Sequence, residues 1–326
     1  MTASVAAGLS GDSGWILTAA TLVVAGLLLA PGWIVGRSAR LAALPSLAVA
    51  PALSSAIIAA AEILAHTLAL PWLPWGWAVI AGLTAVLALM ARLLVGAPPE
   101  RARRAASQGR AEWAILAAGL TVAVAVPAGV ILSVLPGPGY PAQVFDATFH
   151  LNAVAAIREG GNASMLGGLS ALYSGRAVYY PTVWHGMVAL APGSPAPVST
   201  AGVLALTAVV WPLSLLGLFA RAAGLDAARA SETDRVRHRQ RTCAVAVVLA
   251  LSAAVVGFPL LPMTALAVWP YALSVAGLPG VLVLYDLLRQ ETASWRLRLV
   301  LGLLALAAAG GVVAAHGTGL FNLAVL

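Results

Sequence analysis

Polar and apolar positions along this chain fall into long blocks, without the two-residue alternation of a strand or the narrow stripe of a surface helix. Apolar blocks of roughly 20 residues, the length at which a helix crosses a hydrocarbon core of about 30 Å, recur from one end to the other. They predict eight transmembrane helices, at 15–35, 41–70, 77–95, 113–135, 198–220, 243–261, 266–287 and 299–315. Pro45 and Pro51 predict a broken or interfacial start to the second. The run Pro71-Trp72-Leu73-Pro74-Trp75 reads as a turn at the membrane surface, because indole rings settle at headgroup level. The stretch before Trp15 lacks the basic start of a signal peptide, so the first block reads as a retained helix. Beyond the eighth block the chain stops at Leu326 in apolar residues, which reads as an interruption of a longer protein.

Composition strengthens this reading: 61% of residues are hydrophobic and 9% charged, whereas soluble domains carry about 25% charged residues. The fold class expected is all-α and polytopic. A net charge of +7 would suggest nucleic acid in a soluble protein, but here the positions of the arginines decide. All eighteen basic residues are arginine, and sixteen fall in the loops after the first, third, fifth and seventh spans once Arg92 is counted with the third. The positive-inside rule then puts those loops in the cytoplasm. The N-terminus and residues 136–197 face outward from a plasma membrane, and no nucleic-acid partner is read. The single cysteine, Cys243, excludes an internal disulfide. Arginine in place of lysine, with abundant alanine, fits a high-GC bacterial genome.

The chain divides into 1–135 with four spans, an extracytoplasmic segment at 136–197, and 198–326 with four more. The middle segment is the one long stretch neither continuously apolar nor densely charged. Val144 to Glu159, stopped by Gly160-Gly161, predicts a helix lying along the membrane. Helical spacing puts Asp146, His150, Ala153 and Ile157 on one apolar face, where the acid either caps the helix or points into a pocket as a general base or cation ligand. Glu62 and His66, one turn apart near the outer end of the second span, form either a stabilising pair or part of a site, since an intramembrane acid usually faces a cavity or a partner. His185, after Tyr179, Tyr180 and Trp184, is either an interfacial anchor or a site residue. His316 lies on the same side, so four of five histidines share one face; His238, among arginines, reads as a solvated surface residue. Arg158 and Arg176 are the two cations on this side. Asp286 is expected to offset Arg289. No zinc-protease, phosphate-loop, serine-elbow or dinucleotide motif occurs.

The runs Phe145-Asp146-Ala147-Thr148-Phe149-His150-Leu151, Gly160-Gly161-Asn162 and Tyr180-Pro181-Thr182-Val183-Trp184-His185 resemble an uncharacterised family of large actinobacterial membrane proteins related to GT-C glycosyltransferases. The resemblance centres on residues 140–190. It implies an outer-face enzyme with a membrane-parallel helix and an acidic loop, taking a sugar from a polyprenyl-phosphate donor to a cell-envelope glycan acceptor, with the lipid bilayer as its setting. On it, Asp146 activates an acceptor hydroxyl or ligates a divalent metal ion. His150 and His185 orient Asp146 or bind donor phosphate, and Glu62 is a second candidate carboxylate. Arg158, Arg176, Tyr180, Trp184, His66 and His316 are candidate substrate contacts. The acidic loop here follows the fourth span instead of the first, and the family members are longer. The competing expectations are a proton-coupled or lipid or solute transporter, built on Glu62, His66 and the proline-interrupted spans, and a non-catalytic membrane assembly subunit.

Overall fold

The computed structural model describes residues 11–96, 109–135, 137–139, 142, 144–225, 232–292 and 294–326. Arg101, Arg103, Arg104 and Arg229, counted in the basic loops, lie outside the described residues. The described residues form an all-helical bundle with seven helices long and apolar enough to cross a membrane, or eight if one bent pair is a single span. The chain is a polytopic helical membrane protein.

The crossing helices are α1 (Gly11–Ser38), α2 (Ala43–Thr67), α3 (Trp72–Val95) and α4 (Arg110–Val134) before the middle segment. That segment carries two short helices, α5 (Phe145–Gly160) and α6 (Val183–Ala189). A long helix follows as α7 (Pro195–Leu204) and α8 (Trp211–Ala222), joined through a π-helical stretch at Ala205–Val210. Then come α9 (Glu232–Ser252), α10 (Leu261–Thr264), α11 (Trp269–Gln290), α12 (Trp295–Ala315) and the short α13 (Gly319–Val325).

The helices pack around α2, which is buried along most of its length, whereas α3 leaves most of its surface exposed. Alanine and serine dominate α2, so backbones approach closely, as expected where lipid provides no hydrophobic drive for helix association. Gly217 on α8, Gly280 on α11 and Gly311 on α12 complete the fit. A Cβ at any of them would overlap the α2 carbonyls of Leu44, Ala48 or Ala52. A second cluster, with Leu116, Leu215, Val245 and Leu249, joins α4, α8 and α9.

Arginine-bearing helix ends gather at one end of the bundle. Arg40, after α1, donates to the Gly96 carbonyl after α3, and Arg221 at the end of α8 pairs with Asp286 near the end of α11 at 2.8 Å. The middle segment occupies the opposite end, called here the loop end.

Several expectations need correction. α2 runs unbroken through Pro45 and Pro51. α3 begins at Trp72, which is buried with its Nε1 donating to the Gly186 carbonyl at 2.8 Å, while Trp75 and Trp77 are exposed. The sixth span bends by 48° between α9 and the helical stretch 256–264. His238 is buried on α9 instead of solvated. Asp286 takes Arg221 as its partner, and Arg289 lies over the Tyr285 ring.

Candidate functional site

The loop end is assembled from two helices that do not cross. α5 ends at Gly161, whose φ of 67° gives the left-handed cap glycine adopts without strain. Its buried face is Ala147, His150, Ala153, Val154 and Ile157. Asp146 lies outside that face and is exposed in the first turn. The cap position belongs to Val144, and no side chain bonds there. α6 is buried along its whole length. It is tied to α5 by Arg158, whose Nε donates to the Ala189 carbonyl at 3.1 Å and Nη2 to the Ala191 carbonyl at 2.6 Å, with a further bond to Gly193. The guanidinium is thereby committed to the loose carbonyls after a helix end.

His150 and His185 meet directly, Nδ1 to Nε2, at 2.9 Å. One ring donates to the other, which requires that at least one of them be neutral. Burial pushes His150 down to about 4; His316 pushes the same way, and the Ala267 carbonyl opposes. His185 is pushed well below the usual imidazole range by burial and then by His150. The Pro181 carbonyl faces that ring and opposes the shift, but Nδ1 of His185 makes no hydrogen bond. Aromatic rings close the surroundings: Trp269 at 5.3 Å from His150, Tyr180 at 5.7 Å from His185, and Phe149 at 5.1 Å from Tyr180, between ring centroids. The Tyr180 hydroxyl is raised to about 12, by burial first and then by the charges of Tyr173 and Asp146.

Glu62 is 1% exposed. Its Oε2 accepts from the Thr182 hydroxyl at 2.9 Å, and its Oε1 has no partner. A Cβ on Gly186 would overlap that oxygen, so the glycine one turn after Thr182 leaves room for the carboxylate. Glu62 and the exposed His66 line a cavity of about 210 Å³ with Trp72, Gly160, Gly161 and Asn162.

The structure thus brings together His150, His185, Tyr180 and Trp184, while Asp146 and His316 act on the group through their charges. His316 is half-buried, bonded through Nδ1 to Thr318 Oγ1 at 2.7 Å and pushed down by burial. Trp184 is fully buried against Trp269, with Nε1 unpartnered. Arg176 is exposed in the turn after a short 3-10 helix. Glu62 and His66 belong to the adjoining cavity. Among the described residues no cluster of three or more His, Cys, Asp or Glu has the makings of a metal site. Sequence reasoning passed over Thr182, Gly186 and Trp269. The spacing of Thr182 and Gly186, one turn apart, was the available signal for the first two.

A family model matches residues 25–326. The chain belongs to DUF6541, a family of unknown function. The matched region contains every residue of the site from Glu62 to His316, so DUF6541 takes in both the central helix and the loop end. Neither curated proteins nor solved structures gave a match.

Proposed function

We propose that this chain is a membrane glycosyltransferase of GT-C type that transfers a sugar from a polyprenyl-phosphate donor to a cell-envelope glycan. The loop end faces outward from the plasma membrane and the arginine-bearing ends face the cytoplasm. One observation carries the reading: a non-crossing helix, α5, carries an exposed acid in its first turn, one helical turn before His150 of the buried imidazole pair. Asp146 accepts the proton of an acceptor hydroxyl as its oxygen bonds to the anomeric carbon, and the bond from that carbon to the donor phosphate breaks with the electron pair leaving on the phosphate. The histidine pair, neutral at pH 7, holds α5 against α6 and fixes where Asp146 stands. Arg176 is the cation left for the departing phosphate, since Arg158 is occupied by carbonyls.

The test is transfer of radiolabelled sugar from lipid-linked donors in membranes holding the full chain. Asp146→Asn should insert normally and lower the rate by about 10²–10⁴-fold, the usual span for a general base. Undiminished transfer by that variant rejects the assignment.

The bent sixth span and the π-helical stretch within 195–222 favour transport as a second reading. Against it, the cavity beside Glu62 and the cavity beside Asp286 share no lining residue, and Asp286 is held by Arg221. Proton flux into vesicles that disappears in Glu62→Gln would decide for transport.

A further inference from the structure

At the arginine-bearing end a second cavity, of about 550 Å³, opens between α8, α9 and α11. Its polar wall lies at helix ends: Arg221 in the last turn of α8, Arg241 on α9, and Asp286 and Gln290 on α11. Its apolar wall, Leu218, Leu282 and Val283, lies about one turn deeper toward the middle of the bundle. Arg221 is held in place, donating from Nε to Asp286 Oδ2 at 2.8 Å and from Nη2 to Gln290 Oε1 at 2.5 Å. Gln290 Nε2 in turn donates to Asp286 Oδ1 at 2.7 Å. Both oxygens of Asp286, the one carboxylate among the described lining residues, are therefore already satisfied. Arg241 makes no hydrogen bond or ion pair with a described residue, and the backbone turn at Gly224, with φ 65°, passes beside its guanidinium. Among the described residues lining the cavity, two guanidinium groups face one neutralised carboxylate, which leaves an excess positive charge there and the donors of Arg241 without a described partner.

We propose that this cavity binds a phosphate-bearing anion, gripped by Arg241 and steadied by the charge of Arg221. Guanidinium groups suit this role because their planar donors match two phosphate oxygens at once. The phosphate can belong to an anionic lipid headgroup or to a soluble phosphate compound. The arrangement fits the lipid: charge at the helix ends, where headgroups lie, and an apolar wall one turn deeper, where an acyl chain begins. The site is remote from the loop end and stands or falls independently of the glycosyltransferase reading.

The test uses the full chain, delipidated in detergent, with bound lipid counted by native mass spectrometry. Phosphatidylglycerol should be retained in preference to phosphatidylcholine. Arg241→Gln should weaken that retention about tenfold, the loss expected for one charge-assisted hydrogen bond. Arg110→Gln removes the same charge from an exposed position at the same end and should leave retention unchanged. Retention that resists millimolar inorganic phosphate assigns the site to a lipid; full displacement by inorganic phosphate assigns it to a soluble phosphate. Equal retention of the two lipids without displacement by phosphate, or equal loss in Arg110→Gln, overturns the proposal.

Discussion

The contact between Glu62 and Gly186 ties a buried acid on a crossing helix to a helix that does not cross. One carboxylate oxygen is bonded by Thr182 and the other rests where any side chain at 186 would stand. Gly186→Ala should therefore lower stability by roughly 1–3 kcal/mol, the usual cost of overpacking. Glu62→Ala made in the same chain should recover part of that loss, and a double-mutant cycle on thermal unfolding in detergent measures the coupling. Additive losses would show that the two side chains do not compete for one space. The histidine pair makes a prediction about pH. His150 folds with its value depressed from the ordinary 6.5 to about 4, so the unfolded chain takes up the proton first. The stability it contributes is fully present above pH 6.5 and is lost as pH falls toward 4. The unfolding midpoint should drop between pH 7 and pH 5, and His150→Gln should flatten that dependence. An unchanged slope in the variant refutes the assignment.

Among the elements, α5 and α6 differ in how openly the sequence declared them. α5 was legible to within a residue or two, because the apolar spacing from Phe145 and the Gly160-Gly161 stop are both local signals. Its orientation was less legible. The helix turns Ala147 inward, and Asp146 ends up outside the buried face although it shares helical spacing with His150. α6 has seven residues, too few to show a period, and its aromatic neighbours read as a membrane-surface belt. The bend in the sixth span was hidden because an apolar block reads the same whether straight or broken. Between the two loop helices, Arg158 is the tie. Arg158→Gln should release the 189–193 segment, at about 1.5–3 kcal/mol for a hydrogen bond to a charged group. Faster amide exchange at Leu190 and Ala191, with the crossing helices unaffected, is the outcome to look for.

For the molecule as a whole, the eight apolar blocks and the segregation of arginine were enough to give the bundle and its two unlike ends. The central place of α2 was not, because small residues carry little hydropathy signal and their value lies in the close approach they permit. Gly280→Leu should abolish folding, since its side chain would have to enter the α2 backbone. Gly302→Leu on α12, where nothing lies within 4 Å, should be tolerated. The fraction of each variant eluting as a monodisperse peak from detergent tests the pair, and equal yields would remove α2 from its central role.

That central helix also carries Glu62 at its loop end, so α1, α8, α11 and α12 all register against the same rod that positions a carboxylate. A mutational survey scored on function alone would mark Ala48, Ala52 and their glycine partners as hits, although they act only through packing. Only a survey that reads abundance and function separately can tell the helix that holds Glu62 in place from the residues at the loop end.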